Sequence, residues 1–325
     1  MRKGVSLISE PKTYPELIDL CMNQHPTILN DFRQFLLRNG DAEWLIVSDY
    51  HMEKSSSYEN FVSVFTILPA GEHYTSRTTV DAGLPTKLSQ TPVTDSDIAF
   101  LKQLNHYTFV FVSDKKFRPA ASSKEAARSS IELSLQNMLN WENAAECSET
   151  IGQFKQLREK AKSNSFNLKV FNQATLSASY VSSIALTISR TLSRTIILYW
   201  LSDRDEIITK FDGIVYSMLK VNMLAFAEMH QLKPIHLSWF DESDKVIPGE
   251  KMEPLALAPF VRIPDYFAAP LAASITNYEG LQVFDKEKCQ RILAHVIADS
   301  PNFSLLRLAN QPGWRFKQIT ISLTA

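Results

Sequence analysis

Several apolar runs in this chain end in an aspartate or directly beside one, and that punctuation constrains the fold more than any other feature. The first is Glu43–Tyr50, EWLIVSDY, with Asp49 one residue from its end. Tyr107–Ser113, YTFVFVS, stops before Asp114. Thr195–Leu201, TIILYWL, is followed by Asp203 and Asp205, and Pro234–Phe240, PIHLSWF, by Asp241 and Glu242. Short runs dense in β-branched and aromatic residues read as strands. Thr195–Leu201 is apolar throughout, as a strand buried on both faces would be.

The remaining elements follow from periodicity and punctuation. Pro15–Cys21 and Thr27–Arg38 read as two short amphipathic helices, closed by Asn39-Gly40. Asn60–Leu68, NFVSVFTIL, is a strand stopped at Pro69, joined to the first by the polar turn His51–Glu59. Ala70–Pro92 is a polar surface excursion. Thr94–Leu104 opens with a Thr-x-x-Asp capping pattern at Thr94 and Asp97 and continues as a helix. Ser123–Lys162 repeats apolar residues at helical spacing (Ile131, Leu135, Met138) and reads as one long helical region, broken near Gly152 if it is two. Gln173–Ser189 and Glu206–Gln231 are further helices. Val261–Ile275 is expected to start extended and turn helical after Pro264, where a first-turn proline belongs. Lys286–Ala298 is a helix, and Ser304–Leu308 and Lys317–Leu323 are short strands.

Composition removes several function classes. The chain has 325 residues, 45% hydrophobic, enough for a sizeable core. Lys and Arg number 34 against 35 Asp and Glu, so no global basic field draws nucleic acid, although a local patch could still bind it. Only 9 glycines occur, and neither GxGxxG nor GxxxxGK[ST] nor GxSxG is present. Phosphate-cradling loops need glycine so that backbone can approach the ligand, which counts against dinucleotide and P-loop sites. The three cysteines, Cys21, Cys147 and Cys289, are far apart and suggest neither zinc nor a disulfide framework. No window approaches the roughly 18–20 apolar residues of a membrane span, and the N-terminus lacks a signal-peptide core. A cytoplasmic location without membrane contact is the expectation by elimination.

In order, the elements read β (43–50), β (60–68), β (107–113), helices, β (195–201), helix, β (235–240), helix (264–276). Three strands joined by turns suit an antiparallel meander, and two later strands separated by a helix suit a parallel crossover. This is the order of an RNase H-like core: an α/β fold with a mixed sheet and added helices. On that reading residues 1–40 form an N-terminal helical segment and 41–280 the core with a helical insertion near 123–190. Residues 281–325 supply a C-terminal helix and strands, and the softest boundary is Lys162–Asn167.

The aspartates then acquire a common purpose. Two-metal phosphoryl transfer uses Mg²⁺ or Mn²⁺, hard cations that take carboxylate oxygens. Ions about 3.5–4 Å apart need several carboxylates converging on one side. Asp49 on the first strand, Asp203 or Asp205 past the fourth, and Asp265 at the start of the last core helix are the candidate catalytic and metal-binding residues. A helix N-terminus also favours the negative charge of Asp265. Asp241 and Glu242 are reserve ligands.

The segments LIVSDYHMEKSSSYENFVSVFTILP, ILYWLSDRDEI, LSWFDESDK and RIPDYFAAPLAA, in this order, resemble a widespread bacterial family of unknown function with an RNase H-like core. The resemblance spans roughly residues 43–276. It matches Asp49 to the family's first-strand aspartate, Asp203 or Asp205 to the middle one, and Asp265 to the helix aspartate. The family's usual Asp-Glu-Ser/Gly start is Asp-Tyr-His here, and Pro264 stands where alanine is usual. The resemblance implies a nuclease-like or transposase-like domain, linked to mobile elements or phage defence.

Each candidate also has a plainer reading. Asp49 could cap a turn, Ser202-Asp203 could cap the following helix, and Asp265 could simply complement the helix dipole. His51 and His236 are candidate ligands or proton shuttles, although a lone histidine is more often structural. Lys115, Lys116 and Arg118 could hold phosphates or form a solvated loop. Tyr199, Trp200 and Trp239 read as core before they read as base-stacking platforms. Two functions therefore stand. One is a divalent-metal-dependent nuclease or related phosphoryl-transfer protein acting on nucleic acid. The other is a non-catalytic interaction protein, a subunit of a defence or mobile-element system, with Pro15–Arg38 and Ser123–Lys162 as partner surfaces.

Overall fold

The computed structural model describes residues 18, 22–23, 25–51, 60–70, 92–114, 121–141, 144–203, 206–241, 258–277, 280–281, 287–298, 300–309 and 315–318. In chain order the main elements are α1 (Pro26–Arg38), β1 (Glu43–His51), β2 (Asn60–Ala70), α2 (Asp95–Gln103), β3 (Tyr107–Asp114), α3 (Lys124–Leu139) and α4 (Ser148–Ala161). They continue with α5 (Leu168–Leu192), β4 (Ile196–Ser202), α6 (Ile214–His230), β5 (Ile235–Asp241), α7 (Arg262–Ser274) and the small hairpin β6 (Ile275–Asn277) and β7 (Gly280–Leu281). The last are α8 (Glu287–Ile292), β8 (Phe303–Ala309) and β9 (Arg315–Gln318).

Seven strands form one mixed sheet in the order β5-β4-β1-β2-β3-β8-β9. β1, β2 and β3 are the expected antiparallel meander, and β4 and β5 add in parallel beside β1. On the other flank β8 pairs parallel with β3, and β9 returns antiparallel. The C-terminal strands therefore extend the same sheet.

Both faces of the sheet are covered, which is why the central strands are nearly continuous apolar runs. Trp44, Ile46, Leu198, Trp200, Phe65 and Phe111 point to one face, under α1, α3, α4, α5 and α6. Leu45, Val47, Tyr199, Leu201, Val64 and Val110 point to the other, under α2, α7 and α8. Tyr180 of α5 stacks on Phe111 with ring centroids 3.9 Å apart and planes 5° from parallel. α5 is buried almost throughout despite its many hydroxyls. Ser179, Ser182, Ser183 and Thr187 each donate to the carbonyl four residues earlier, so these four hydroxyls are satisfied within the helix, whereas Ser177 Oγ is buried without a partner among the described residues.

Several boundaries differ from expectation, each for a local reason. β2 runs through Pro69 to Ala70. Its pairing with β3 ends at Ile67, so Pro69 has only β1 as a neighbour and no second ladder needs its missing N–H. The helical region 123–162 breaks at 140–147, not at Gly152, which lies inside α4. The helix expected over Glu206–Gln231 is a single turn, Glu206–Thr209, then a reversal, then α6. Phe211, Asp212 and Gly213 take φ of 56°, 59° and 72°, left-handed backbone that stops a helix. The Phe211 ring packs on Phe166 at 5.1 Å, which holds a residue that would otherwise avoid that region. α7 is not extended at its start: a 3-10 turn at Ala258–Val261 leads into helix from Arg262. Pro264 sits in the first turn, where the N–H has no intrahelical partner to lose. The helix expected over Lys286–Ala298 becomes π-helical at Leu293–Ile297. Gln173–Ser189 is helical but belongs to a longer α5. The turn at 52–59 and the excursion at 71–91 lie outside the described residues, as does most of Pro15–Cys21.

Candidate functional site

Strand register brings two of the expected aspartates side by side. β1 and β4 run parallel with Ser48 opposite Ser202. One residue further, the Asp203 backbone N–H donates to the Ser48 carbonyl oxygen at 3.3 Å. Asp203 thus extends the β4 ladder and stands beside the end of β1, where Asp49 sits. Alternation then settles the face. Asp49 is in step with Leu45 and Val47, and Asp203 with Tyr199 and Leu201, all of the second core.

The third aspartate arrives on that face from far along the chain. α7 buries Ile263, Tyr266, Phe267 and Leu271 in the same core and packs on β1 and β2. Asp265 lies at its start, half-buried. Burial, and then the negative charge of Asp203, hold the Asp265 carboxyl above its ordinary value, while Lys288 of α8 acts in the opposite sense. Asp203 and Asp265 are therefore close enough for their charges to interact. Register thus sets Asp203 beside Asp49 at the backbone, and charge couples Asp265 to Asp203.

A buried clamp on the opposite face supports the β1–β4 junction. Trp200 Nε1 donates to Ser48 Oγ at 2.9 Å, and Ser48 Oγ donates to Ser202 Oγ at 3.0 Å. All three residues are fully buried. Sequence reading passed over Ser48 and took Ser202 only as part of a helix cap, although a serine stands directly before each aspartate region, at LIVSD and YWLSD. Lys288 and Tyr266 had no such signal, because only tertiary packing brings them near. Burial, then the charges of Asp97 and Asp265, raise the Tyr266 phenol above its ordinary value. Its hydroxyl is buried without a hydrogen-bond partner among the described residues.

The other candidates are placed elsewhere or not described. Asp205, Glu242, Lys115, Lys116, Arg118 and Cys21 lie outside the described residues. The Asp241 backbone pairs opposite Ser202, so β5 ends at the carboxylate edge. His51 closes β1, half-buried. His236 is exposed and pairs with Ile197, near the far end of the sheet from the aspartates. Tyr199 and Trp200 are core, and Trp239 stacks on Tyr216 at 5.6 Å. Cys147 and Cys289 are buried and not joined in a disulfide.

The three carboxylates are hard oxygen donors, the right chemistry for Mg²⁺ or Mn²⁺. They do not form a preformed ligand sphere: among the described residues no group of three His, Cys, Asp or Glu is arranged to hold a metal ion. A polar cleft of about 620 Å³, lined in part by Arg38, Asn39, Lys102, Asn105 and Asn302, lies at the opposite edge of the sheet, where β1, β3 and β8 begin. Asn105 Nδ2 donates to Asn39 Oδ1 at 2.8 Å there, which ties two helix ends together. No helix among the described residues is long and apolar enough to cross a membrane. No family model matches the chain, and no curated protein or solved structure is significantly similar to it.

Proposed function

We propose that this chain is a divalent-metal-dependent nuclease or related phosphoryl-transfer enzyme with an RNase H-like core, its site centred on Asp49, Asp203 and Asp265. One observation carries the reading: the Asp203 N–H on the Ser48 carbonyl aligns Asp203 with Asp49, and Asp265 meets Asp203 from α7. The strand order β5-β4-β1-β2-β3, with the first meander antiparallel and β4 and β5 parallel to β1, supports the RNase H-like assignment. The raised Asp265 carboxyl supports the metal. Acidic groups held together in partial burial repel one another, and a divalent cation would relieve that repulsion.

In this reading Asp49, Asp203 and Asp265 hold Mg²⁺ or Mn²⁺, and a bound ion supplies Lewis-acid polarisation of a phosphoryl oxygen and a more acidic attacking water. The protein's own contribution is placement. The Trp200–Ser48–Ser202 clamp locks the two strand ends, and α7 carries Asp265 to them. Nucleic acid is the proposed substrate class. Calorimetric titration with Mn²⁺ and cleavage assays on DNA and RNA test the proposal. Saturable Mn²⁺ binding that Asp49→Asn and Asp203→Asn both abolish, with metal-dependent cleavage lost in parallel, is the expected result. Absence of Mn²⁺ binding, or cleavage unchanged in Asp49→Asn, would sink it.

A second reading, a non-catalytic interaction protein on the same scaffold, has one observation in its favour. Lys288 already places a positive charge by Asp265, so the carboxylates have a partial counter-charge from the protein itself. Stoichiometric co-purification with another protein, with no Mn²⁺ bound, would select this reading.

A further inference from the structure

The polar cleft at the edge of the sheet away from the carboxylates is built from three parts of the chain. α1 supplies one wall: Asp31, Gln34 and Arg38 recur at helical spacing and share a face. The end of α2 and the link to β3 supply Lys102 and Asn105, and the turn before β8 supplies Asn302. Hydrogen bonds hold these walls in place. Buried Asn39 donates from Nδ2 to the Phe35 carbonyl oxygen at 2.9 Å and accepts from Asn105 Nδ2 at 2.8 Å. The Asn302 carbonyl oxygen accepts from the Thr108 N–H at 2.8 Å. The volume of about 620 Å³ is that of a small-molecule site, for which roughly 300–1,000 Å³ is usual.

Charge gives the cleft two unlike ends. Arg38 and Lys102 stand in the last turns of α1 and α2. Both are exposed, and among the described residues neither forms an ion pair. The helix carbonyls beside them are already engaged: those of Phe35 and Leu36 by Asn39, and that of Phe100 by the Leu104 N–H. Asp31 is also exposed and has no ion-pair partner among the described residues. It lies two helical turns before Arg38, about 10.5 Å along the axis.

We infer that this cleft binds a phosphate monoester of a small polyhydroxylated molecule, with the phosphoryl oxygens on Arg38 and Lys102 and a hydroxyl donating to Asp31. A guanidinium presents paired N–H donors that match two phosphate oxygens, and an ammonium adds a point charge. Asn105 keeps a second side-chain N–H for a ligand, and the Asn302 amide is a further donor. Asp31 decides against a bare oxyanion, because its carboxylate repels one. A ligand about 10 Å long with a hydroxyl at its far end turns the same carboxylate into an acceptor. A sugar phosphate and a nucleoside monophosphate share this chemistry. The inference is independent of the proposed nuclease activity.

Calorimetric titration of the full chain with ribose 5-phosphate, a fragment common to both sources, tests it. Saturable binding is expected, about tenfold or more tighter than that of inorganic phosphate or of ribose alone. Arg38→Ala and Lys102→Ala should each weaken it by about tenfold or more, with the melting temperature unchanged because both side chains are exposed. Asp31→Asn should weaken ribose 5-phosphate and leave inorganic phosphate binding no weaker. Asp49→Asn should change neither. Adenosine 5′-monophosphate as a second probe identifies the source. Tighter binding than ribose 5-phosphate assigns a nucleoside monophosphate, and equal or weaker binding assigns a sugar phosphate. The inference is overturned if neither ester binds saturably, or if inorganic phosphate binds as tightly as ribose 5-phosphate. Binding unchanged in both Arg38→Ala and Lys102→Ala overturns it equally.

Discussion

The Asp203 backbone N–H donates to the Ser48 carbonyl oxygen at 3.3 Å, so two residues 155 positions apart sit in one continuous ladder. That bond turns two separate strand ends into neighbours and sets Asp203 beside Asp49. Its stability depends on the clamp behind it.

Ser48→Ala removes the acceptor of Trp200 Nε1 and the donor to Ser202 Oγ, both fully buried. Leaving a buried donor unpaired costs about 1–3 kcal/mol. Chemical denaturation should show that loss, and Mn²⁺ affinity should fall with it, because the strand ends lose their alignment. A variant as stable as the parent would deny the clamp its role.

Asp265→Asn separates stability from function. The folded Asp265 carboxyl is raised above its ordinary value, first by burial and then by Asp203, so its ionisation opposes folding. The stabilising effect of its proton is present at low pH and lost as pH rises through the raised value. At pH 7 Asp265→Asn should therefore melt higher than the parent, and the gain should vanish at acidic pH. Adding Mn²⁺ should raise the melting temperature of the parent only.

His106 predicts an acid-labile core. Burial lowers it to about 4 from 6.5, and its ring lies against Phe267 and Phe303 with Nδ1 3.0 Å from Thr108 Oγ1. A lowered histidine means that the unfolded chain binds the proton more tightly. Stability from neutral His106 is full above pH 6.5 and lost as pH falls toward 4, by roughly 3 kcal/mol in total. Denaturation midpoints measured across that window should fall, and His106→Asn should flatten the slope.

Thr94→Ala tests the capping box read from the sequence at Thr94 and Asp97. Thr94 Oγ1 accepts from Asp97 N–H at 3.2 Å, and Asp97 Oδ2 accepts from Thr94 N–H at 2.6 Å. Loss of such a cap costs about 1 kcal/mol. Urea midpoints should fall accordingly, with Mn²⁺ binding unchanged.

The sequence by itself determined the strands, because runs such as Glu43–His51 and Ile196–Ser202 carry enough β-branched and aromatic residues to leave no competing structure. It also determined the capping of α2 and the order of elements, which narrows the sheet to a meander followed by parallel additions. Its errors cluster where backbone geometry depends on neighbours: Pro69 tolerated beyond the last β3 pair, and the reversal at Phe211–Gly213 held by Phe166. Only the tertiary structure decided the rest. Strand identity says nothing of register, and a slip of one residue would turn Asp49 and Asp203 to the other face. The β1–β4 pairing, locked by Ser48, Ser202 and Trp200, put them on one face, and the packing of α7 on β1 and β2 brought Asp265 within the field of Asp203. Those are contacts between residues more than 150 positions apart, whose energies depend on packing that no local window of sequence contains.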